Sequence, residues 1–256
     1  MPTIAAIPVL TDNYSWAIHG IDATRIIIVD PGEAKPILNY LAKNNLKLDA
    51  ILLTHHHWDH TGGVQSLLSH FPDIAIYGSK LDEIPGITHF IKENEVIILE
   101  NLSAPIHILA IPGHTLGHIA FLYENALFCG DTLFSVGMGK IFEGTATQMY
   151  ASIEKIKNLP PHTLIYCGHE YTLANIRFAQ TLDPDNTKLS FRKSEVEKLI
   201  SKNLPSLPAL LRTELEINPF LRCDKKPILS ALKNKGYTGD HAIAALLFLR
   251  ELKNKF

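Results

Sequence analysis

Thr54-His55-His56-His57-Trp58-Asp59-His60-Thr61-Gly62-Gly63 follows directly on the apolar run Ala50-Ile51-Leu52-Leu53. A short apolar run of this kind reads as a buried strand, which places the histidines at a strand end. On an extended segment, residues two apart face the same way, so His55 and His57 can grip one ion while His56 points elsewhere. Asp59 and His60 fall where the chain turns into a helix beginning near Thr61-Gly62-Gly63, and they face the same cavity from another direction. Clustered histidines alone also fit a solvated loop. The strand end and the spaced Asp argue against that here.

Three further apolar runs end in the same way. Ile108-Leu109-Ala110-Ile111-Pro112-Gly113-His114 delivers His114 through a Pro-Gly turn, Ala126-Leu127-Phe128-Cys129-Gly130-Asp131 delivers Asp131, and Leu164-Ile165-Tyr166-Cys167-Gly168-His169 delivers His169. The glycines allow close backbone approach. A single Asp after a strand is an ordinary turn residue, but four strand ends carrying His or Asp are hard to explain as four independent turns. Five His and two Asp are too many for one tetrahedral ion and suit two ions sharing a carboxylate. The expected sets are His55, His57 and His114 for the first ion, Asp59, His60 and His169 for the second, and Asp131 between them. Nitrogen and carboxylate ligands without thiolate fit Zn, Fe or Mn.

The rest of the chain sets the frame. With 256 residues, 46% hydrophobic and 20% charged, the composition is that of a globular chain able to bury a sizeable core. The N-terminus lacks a basic and then apolar leader, and no segment reaches the roughly 18 apolar residues of a membrane span, so a cytoplasmic protein is expected. Cys129, Cys167 and Cys223 form neither a disulfide framework nor a zinc ribbon; the first two sit in apolar runs and read as core. Residues 1–187 hold 10 Lys+Arg against 19 Asp+Glu, a net −9, while 188–256 hold 14 against 7, a net +7. Such a basic tail is either a solvated helical surface or an attractor for an anionic ligand.

Strands are expected at 14–19, 25–29, 50–53, 74–77, 106–110, 119–123, 127–129 and 163–166, with helices at 34–43, 61–69 and 147–158. After Tyr171 only helices are expected, at 173–181, 195–203, 210–217, 227–235 and 241–253. This suggests an α/β metal-site domain, residues 1–170, and a helical domain, residues 171–256.

The string His55-x-His57-x-Asp59-His60, followed by His114, Asp131 and His169 in that order, resembles the metallo-β-lactamase fold superfamily. Within it, Thr54 to Gly63, Pro112-Gly113-His114-Thr115-x-Gly117-His118, Gly130-Asp131-Thr132-Leu133-Phe134 and Cys167-Gly168-His169-Glu170-Tyr171-Thr172 resemble glyoxalase II, the hydroxyacylglutathione hydrolases. Asn218-Pro219-Phe220-Leu221-Arg222 and Arg250-x-x-Lys253-x-x-Phe256 match that family's helical domain. The resemblance implies a four-layer αβ/βα sandwich with a small C-terminal all-helical domain. It implies a monomer that acts on a small-molecule glutathione thioester, with no nucleic acid or membrane partner. The implied reaction is hydrolysis of S-(2-hydroxyacyl)glutathione, S-D-lactoylglutathione giving glutathione and D-lactate, the second step of methylglyoxal detoxification. It also implies that Lys140, Tyr171, Arg250 and Lys253 hold the glutathione part. Phe142 stands where the family often has a tyrosine, and Asn254 where it usually has Asp. Loss of the hydroxyl at 142 removes one hydrogen bond, worth about 0.5 to 1.5 kcal/mol, and so bears on affinity more than on activity.

Two divalent ions, Zn first and Fe or Mn as alternatives, would lower the pKa of a shared water from about 15.7 towards 7. The resulting hydroxide would attack the thioester carbonyl, with Asp131 holding the pair and Asp59 able to move protons. A thiol leaves near its pKa of about 8.5, so no dedicated acid is assigned. His118 reads as a second-layer or packing residue, and His56 as an ordinary surface or core residue. Gly137-Met138-Gly139-Lys140 is no phosphate loop, since Phe134 occupies the first glycine position and Ile141 follows the lysine. The rival readings are a nuclease on the same fold, disfavoured by the acidic metal-bearing part, a one-ion glutathione persulfide dioxygenase, and a metal-binding module without turnover.

Overall fold

The computed structural model of the chain describes residues 2–256. The first sheet has the order β1-β2-β3-β4-β5-β6, made from Thr3–Val9, Asn13–His19, Arg25–Val29, Lys47–Leu52, Ala75–Ser79 and His89–Ile91. β1 to β3 pair antiparallel and β3 to β6 parallel. Helices α1 (Ala34–Asn44), α2 (Trp58–Thr61) and α3 (Val64–His70) lie within this half of the chain. The second half supplies β7 (Val96–Ile97), β8 (Ile106–Ala110), β9 (Ile119–Tyr123), β10 (Ala126–Gly130), the hairpin strands β11 (Leu133–Phe134) and β12 (Gly137–Met138), then β13 (Leu164–Cys167) and β14 (Ala209–Leu210). Its sheet runs β14-β13-β10-β9-β8-β7, with β10 and β13 parallel. Helices α4 (Ala146–Lys157), α5 (Thr172–Gln180), α6 (Thr187–Ile200), α7 (Leu211–Ile217), α8 (Lys226–Asn234) and α9 (Ala242–Asn254) complete the chain.

Strand alternation builds the layers. Ile26, Ile28, Ile51 and Leu53 pack with Ile37 and Leu41 of α1 and with Val64 and Leu67 of α3. Their neighbours Ile27, Val29, Ala50 and Leu52 face the other way and join Ile106, Ile108, Phe121 and Phe128 of the second sheet. Met149, Ile153 and Ile156 of α4 and Ala245, Leu246 and Leu249 of α9 belong to that same core. Two sheets face each other with helices outside both, the αβ/βα sandwich that the resemblance implies. Each large side chain buried in this core contributes about 1.5–3 kcal/mol.

The short strands β6, β7, β11 and β12 were not expected from the sequence, and four further features depart from it. β1 is an extra strand, an edge position where Pro8 is tolerated because its missing N–H faces no partner strand. The helix expected at 61–69 is two helices, α2 and α3, so Asp59 and His60 lie inside a helical turn. The break falls at Gly62-Gly63, where a Cβ would come within 2.8 Å of Gly32 O and 2.6 Å of Pro31 O. α6 starts at Thr187 instead of 195, because Asn186 caps it by accepting from Leu189 N at 3.2 Å. The tail is not helices only: Ala209–Leu210 pairs with Leu164 and Ile165 and extends the second sheet.

Candidate metal centre

All the candidate ligands leave the same edge of the sandwich. β4, β8, β10 and β13 end at Leu52, Ala110, Gly130 and Cys167, each followed within four residues by a candidate. Gly130 is in register with Cys167 on the parallel pair β10/β13, so Asp131 and His169 emerge side by side. Ile119 N donates to Thr54 O at 2.9 Å and Tyr14 N to Gly168 O at 2.8 Å, which stitches the two sheets together at this edge. Gly130 has φ +46, and a Cβ there would meet Thr54 Oγ1 at 2.4 Å, so only glycine brings the strand this close.

The expected triads are formed. His55 Nε2 is 3.1 Å from His57 Nδ1, which is 3.0 Å from His114 Nε2. His169 Nε2 is 3.3 Å from Asp59 Oδ2, and His60 Nε2 is 3.7 Å from it. Asp131 stands between the sets, with Oδ2 3.7 Å from His114 Nε2 and 3.3 Å from His169 Nε2, and Oδ1 3.3 Å from His60 Nε2. Bonds of about 2.0–2.1 Å to a tetrahedral ion put its ligand atoms about 3.3 Å apart, so these spacings suit cations. Among the described residues, His60 Nε2 and Asp131 Oδ1 are buried polar atoms with no hydrogen-bond partner, which is costly unless a cation satisfies them.

The outward ring nitrogens of His55, His60, His114 and His169 are held, which leaves their inward ones for an ion. His60 Nδ1 bonds Asp30 Oδ2 at 2.9 Å, His114 Nδ1 bonds Lys140 O at 2.8 Å, His169 Nδ1 bonds Asp12 Oδ1 at 2.9 Å, and His55 Nδ1 bonds Thr54 Oγ1 at 3.0 Å. Thr54 Oγ1 in turn donates to Asp30 Oδ2 at 2.7 Å. Asn13 Nδ2 donates to Asp59 Oδ2 at 3.0 Å. Asp30, Asp12 and Asn13 were not expected from the sequence. Asp30 alone left a signal, since it ends the apolar run Arg25-Ile26-Ile27-Ile28-Val29 just as Asp131 ends β10.

The two sets differ electrostatically. Burial drives His55 well below its ordinary value and takes His114 down to about 4, so the first set consists of neutral imidazoles with free lone pairs. In the second set burial works in the same direction but is outweighed. Hydrogen bonds to Asp131 and Asp59 carry His169 up to about 10, and Asp131 with Asp30 raises His60 well above the usual range. Protons stand here where a cation would displace them.

His118 stacks on His55 with centroids 4.5 Å apart, and its Nε2 accepts from Asp131 N at 3.2 Å, a packing position. His56 points away from the triads, towards Asp82 at 3.3 Å and Glu143 at 3.1 Å. A cleft of about 760 Å³ opens over the cluster, and Lys140, Tyr171, Arg250 and Lys253 all line it. Tyr171 stacks on His169 at 4.6 Å. Arg250 is buried and donates to Met138 O and, at 3.0 Å, to Asn254 Oδ1, so it also clamps the β11–β12 hairpin that leads into Lys140.

Residues 11–169 match the family model of the metallo-beta-lactamase superfamily, and residues 170–256 that of the hydroxyacylglutathione hydrolase C-terminus. A protein of Nitrosomonas eutropha named hydroxyacylglutathione hydrolase is 47% identical over 246 residues, covering 96% of this chain and 95% of its own. One of the same name from Shewanella denitrificans is 45% identical over 258 residues, covering all of both chains. Among solved structures, ETHE1 from Myxococcus xanthus superposes with a TM-score of 0.64 over 98% of each chain at 20% identity, a likeness of fold alone. The ligand order, the two-sheet frame and these full-length matches agree, and the chain belongs to the hydroxyacylglutathione hydrolase family of the metallo-β-lactamase superfamily.

Proposed function

We propose that the chain hydrolyses S-(2-hydroxyacyl)glutathione thioesters, with S-D-lactoylglutathione giving glutathione and D-lactate. The observation that carries this is one cleft that opens on the seven-ligand cluster, five of whose members line it, and that also carries three cationic side chains, Lys140, Arg250 and Lys253. His55, His57 and His114 would hold one divalent cation, Asp59, His60 and His169 the other, and Asp131 both; Zn fits these donors best, with Fe or Mn as alternatives. When bound, the cations supply a water of lowered pKa and the positive charge that stabilises the oxyanion. For Asp59, partly exposed in the cleft, burial raises the carboxyl, but the hydrogen bonds from His169 and Asn13 and the nearby His60 together outweigh it and hold the group well below the carboxylate range. It therefore stays an anion, able to orient a water. The cationic side chains take the carboxylates of the peptide, and Tyr171 offers a hydroxyl.

Residues 1–170 would form the catalytic domain and 171–256 the substrate-binding one, in a cytoplasmic monomer without nucleic-acid or membrane partners. No helix among the described residues is long and apolar enough to cross a membrane. Metal-loaded protein is expected to release glutathione from S-D-lactoylglutathione with saturation kinetics. Oxygen consumption with glutathione persulfide and inertness to the thioester would instead favour the one-ion dioxygenase reading.

Lys253 tests the glutathione end. Lys253→Ala is expected to raise KM about tenfold or more while kcat stays within about threefold, since a charge-assisted contact remote from the broken bond is lost. An effect confined to kcat would contradict that placement. Burial, with Arg250 nearby, lowers the Lys253 ammonium to about 8. Its charge is complete below that pH and lost above it, so kcat/KM is expected to fall as pH rises through about 8. Lys253→Arg should move that fall to higher pH; a profile identical in both proteins would assign the titration elsewhere.

A further inference from the structure

We propose that Phe220, Phe178 and Phe256 form an aromatic bed that holds Arg250 and Lys253 in place as unpaired cations for the carboxylates of the glutathione part, so that these rings set affinity for the peptide. This deepens the hydrolase reading and rests on it. Arg250 and Lys253 stand three residues apart on α9 and share a face of it. The guanidinium carbon of Arg250 lies 5.5 Å from the centroid of the Phe220 ring, and Lys253 Nζ lies 5.1 Å from that of Phe178 and 5.0 Å from that of Phe256. The rings themselves adjoin. Phe178 is stacked with Phe220, centroids 6.4 Å apart, and meets Phe256 edge to face at 5.4 Å. Two cations of one helix thus rest on one row of three rings.

A carboxylate partner would also hold these side chains, but it would neutralise the charge that the substrate needs. Among the described residues neither cation has one: Arg250 donates to Met138 O and Asn254 Oδ1, and Lys253 to Ala174 O at 3.4 Å. Ala174, Arg250 and Lys253 all line the cleft, so the ammonium is tethered at its wall. A ring face within about 6 Å attracts a cation without cancelling its charge. That attraction has work to do here, because burial opposes both charges: it takes Arg250 down to about 10 and, with Arg250 beside it, Lys253 down to about 8. A lysine already held in place also has less rotamer freedom to lose when a carboxylate arrives.

Phe220 and Phe178 are buried and belong to the main core, so their packing alone accounts for their presence. Phe256 is different. It is 62% exposed, and it contacts both the Phe178 ring and the Lys253 ammonium. It is therefore the ring that can be changed with least disturbance to the core.

The test replaces Phe256 by 3,4,5-trifluorophenylalanine, which keeps the ring's shape and removes most of the attraction of its face. In metal-loaded protein, Kd for S-methylglutathione and KM for S-D-lactoylglutathione are each expected to rise about two- to fivefold, with kcat within about twofold of wild type. Phe256→Leu, which keeps apolar bulk without a ring face, should do the same. In a Lys253→Ala background neither replacement should change Kd or KM further, whereas a ring that serves packing alone would act equally with and without the lysine. A Kd equal to wild type in the trifluorinated protein, or the same loss whether or not Lys253 is present, would overturn the aromatic bed while leaving the hydrolase intact. If the wild-type protein neither hydrolyses S-D-lactoylglutathione nor binds S-methylglutathione, the hydrolase reading fails and the bed with it.

Discussion

Asp131→Ala is expected to lower bound metal from two equivalents to one or fewer, and to cut turnover more than about 100-fold. Loss of a residue that merely orients a ligand already costs about 10- to 100-fold in metal affinity or activity, and Asp131 contacts both ligand sets. Its Oδ2 lies 3.3 Å from His169 and 3.7 Å from His114, and its Oδ1 3.3 Å from His60. Burial would raise its pKa, but His60 and His169 hold the group well below the carboxylate range, so an anion is what the variant removes. Full metal content in a Asp131→Ala protein that has lost activity would contradict the bridging role.

Asp30→Asn is expected to weaken metal binding about 10- to 100-fold without abolishing the fold. Asp30 is buried, and its carboxylate accepts from Thr54 N at 2.8 Å and Thr54 Oγ1 at 2.7 Å while bonding His60 Nδ1 at 2.9 Å. It anchors a ligand of the second set directly and, through Thr54, a ligand of the first. Its φ is +52, a conformation that Asn tolerates and Ala does not, so the amide is the cleaner substitution. The amide cannot accept from all three groups, and one buried donor loses its partner at about 1–3 kcal/mol. Metal affinity measured by competition with a chelator reads the effect; an affinity equal to wild type would reduce Asp30 to a turn residue.

The ligands were legible because they follow the ends of four apolar strands, a pattern that sequence carries openly. Their supports were not, since Asp12 and Asn13 reach His169 and Asp59 across 157 and 46 positions through sheet packing alone. Helix and strand types were readable wherever apolar periodicity was strong. Gly62-Gly63 splits a helix because backbone carbonyls of Pro31 and Gly32 pack against it, and nothing local reveals those neighbours. β14 is two residues long and exists only because Leu164 and Ile165 leave an open edge to pair with. Arg250 shows the same limit: its place in the cleft follows from the resemblance, whereas its hold on Met138 O depends on tertiary contact.

Metal stoichiometry tests the centre most directly. Protein saturated with Zn, freed of excess ion by gel filtration and measured by elemental analysis, is predicted to hold two equivalents per chain. A stable value of one, with the seven side chains intact, would contradict a centre in which Asp131 joins two sets of ligands.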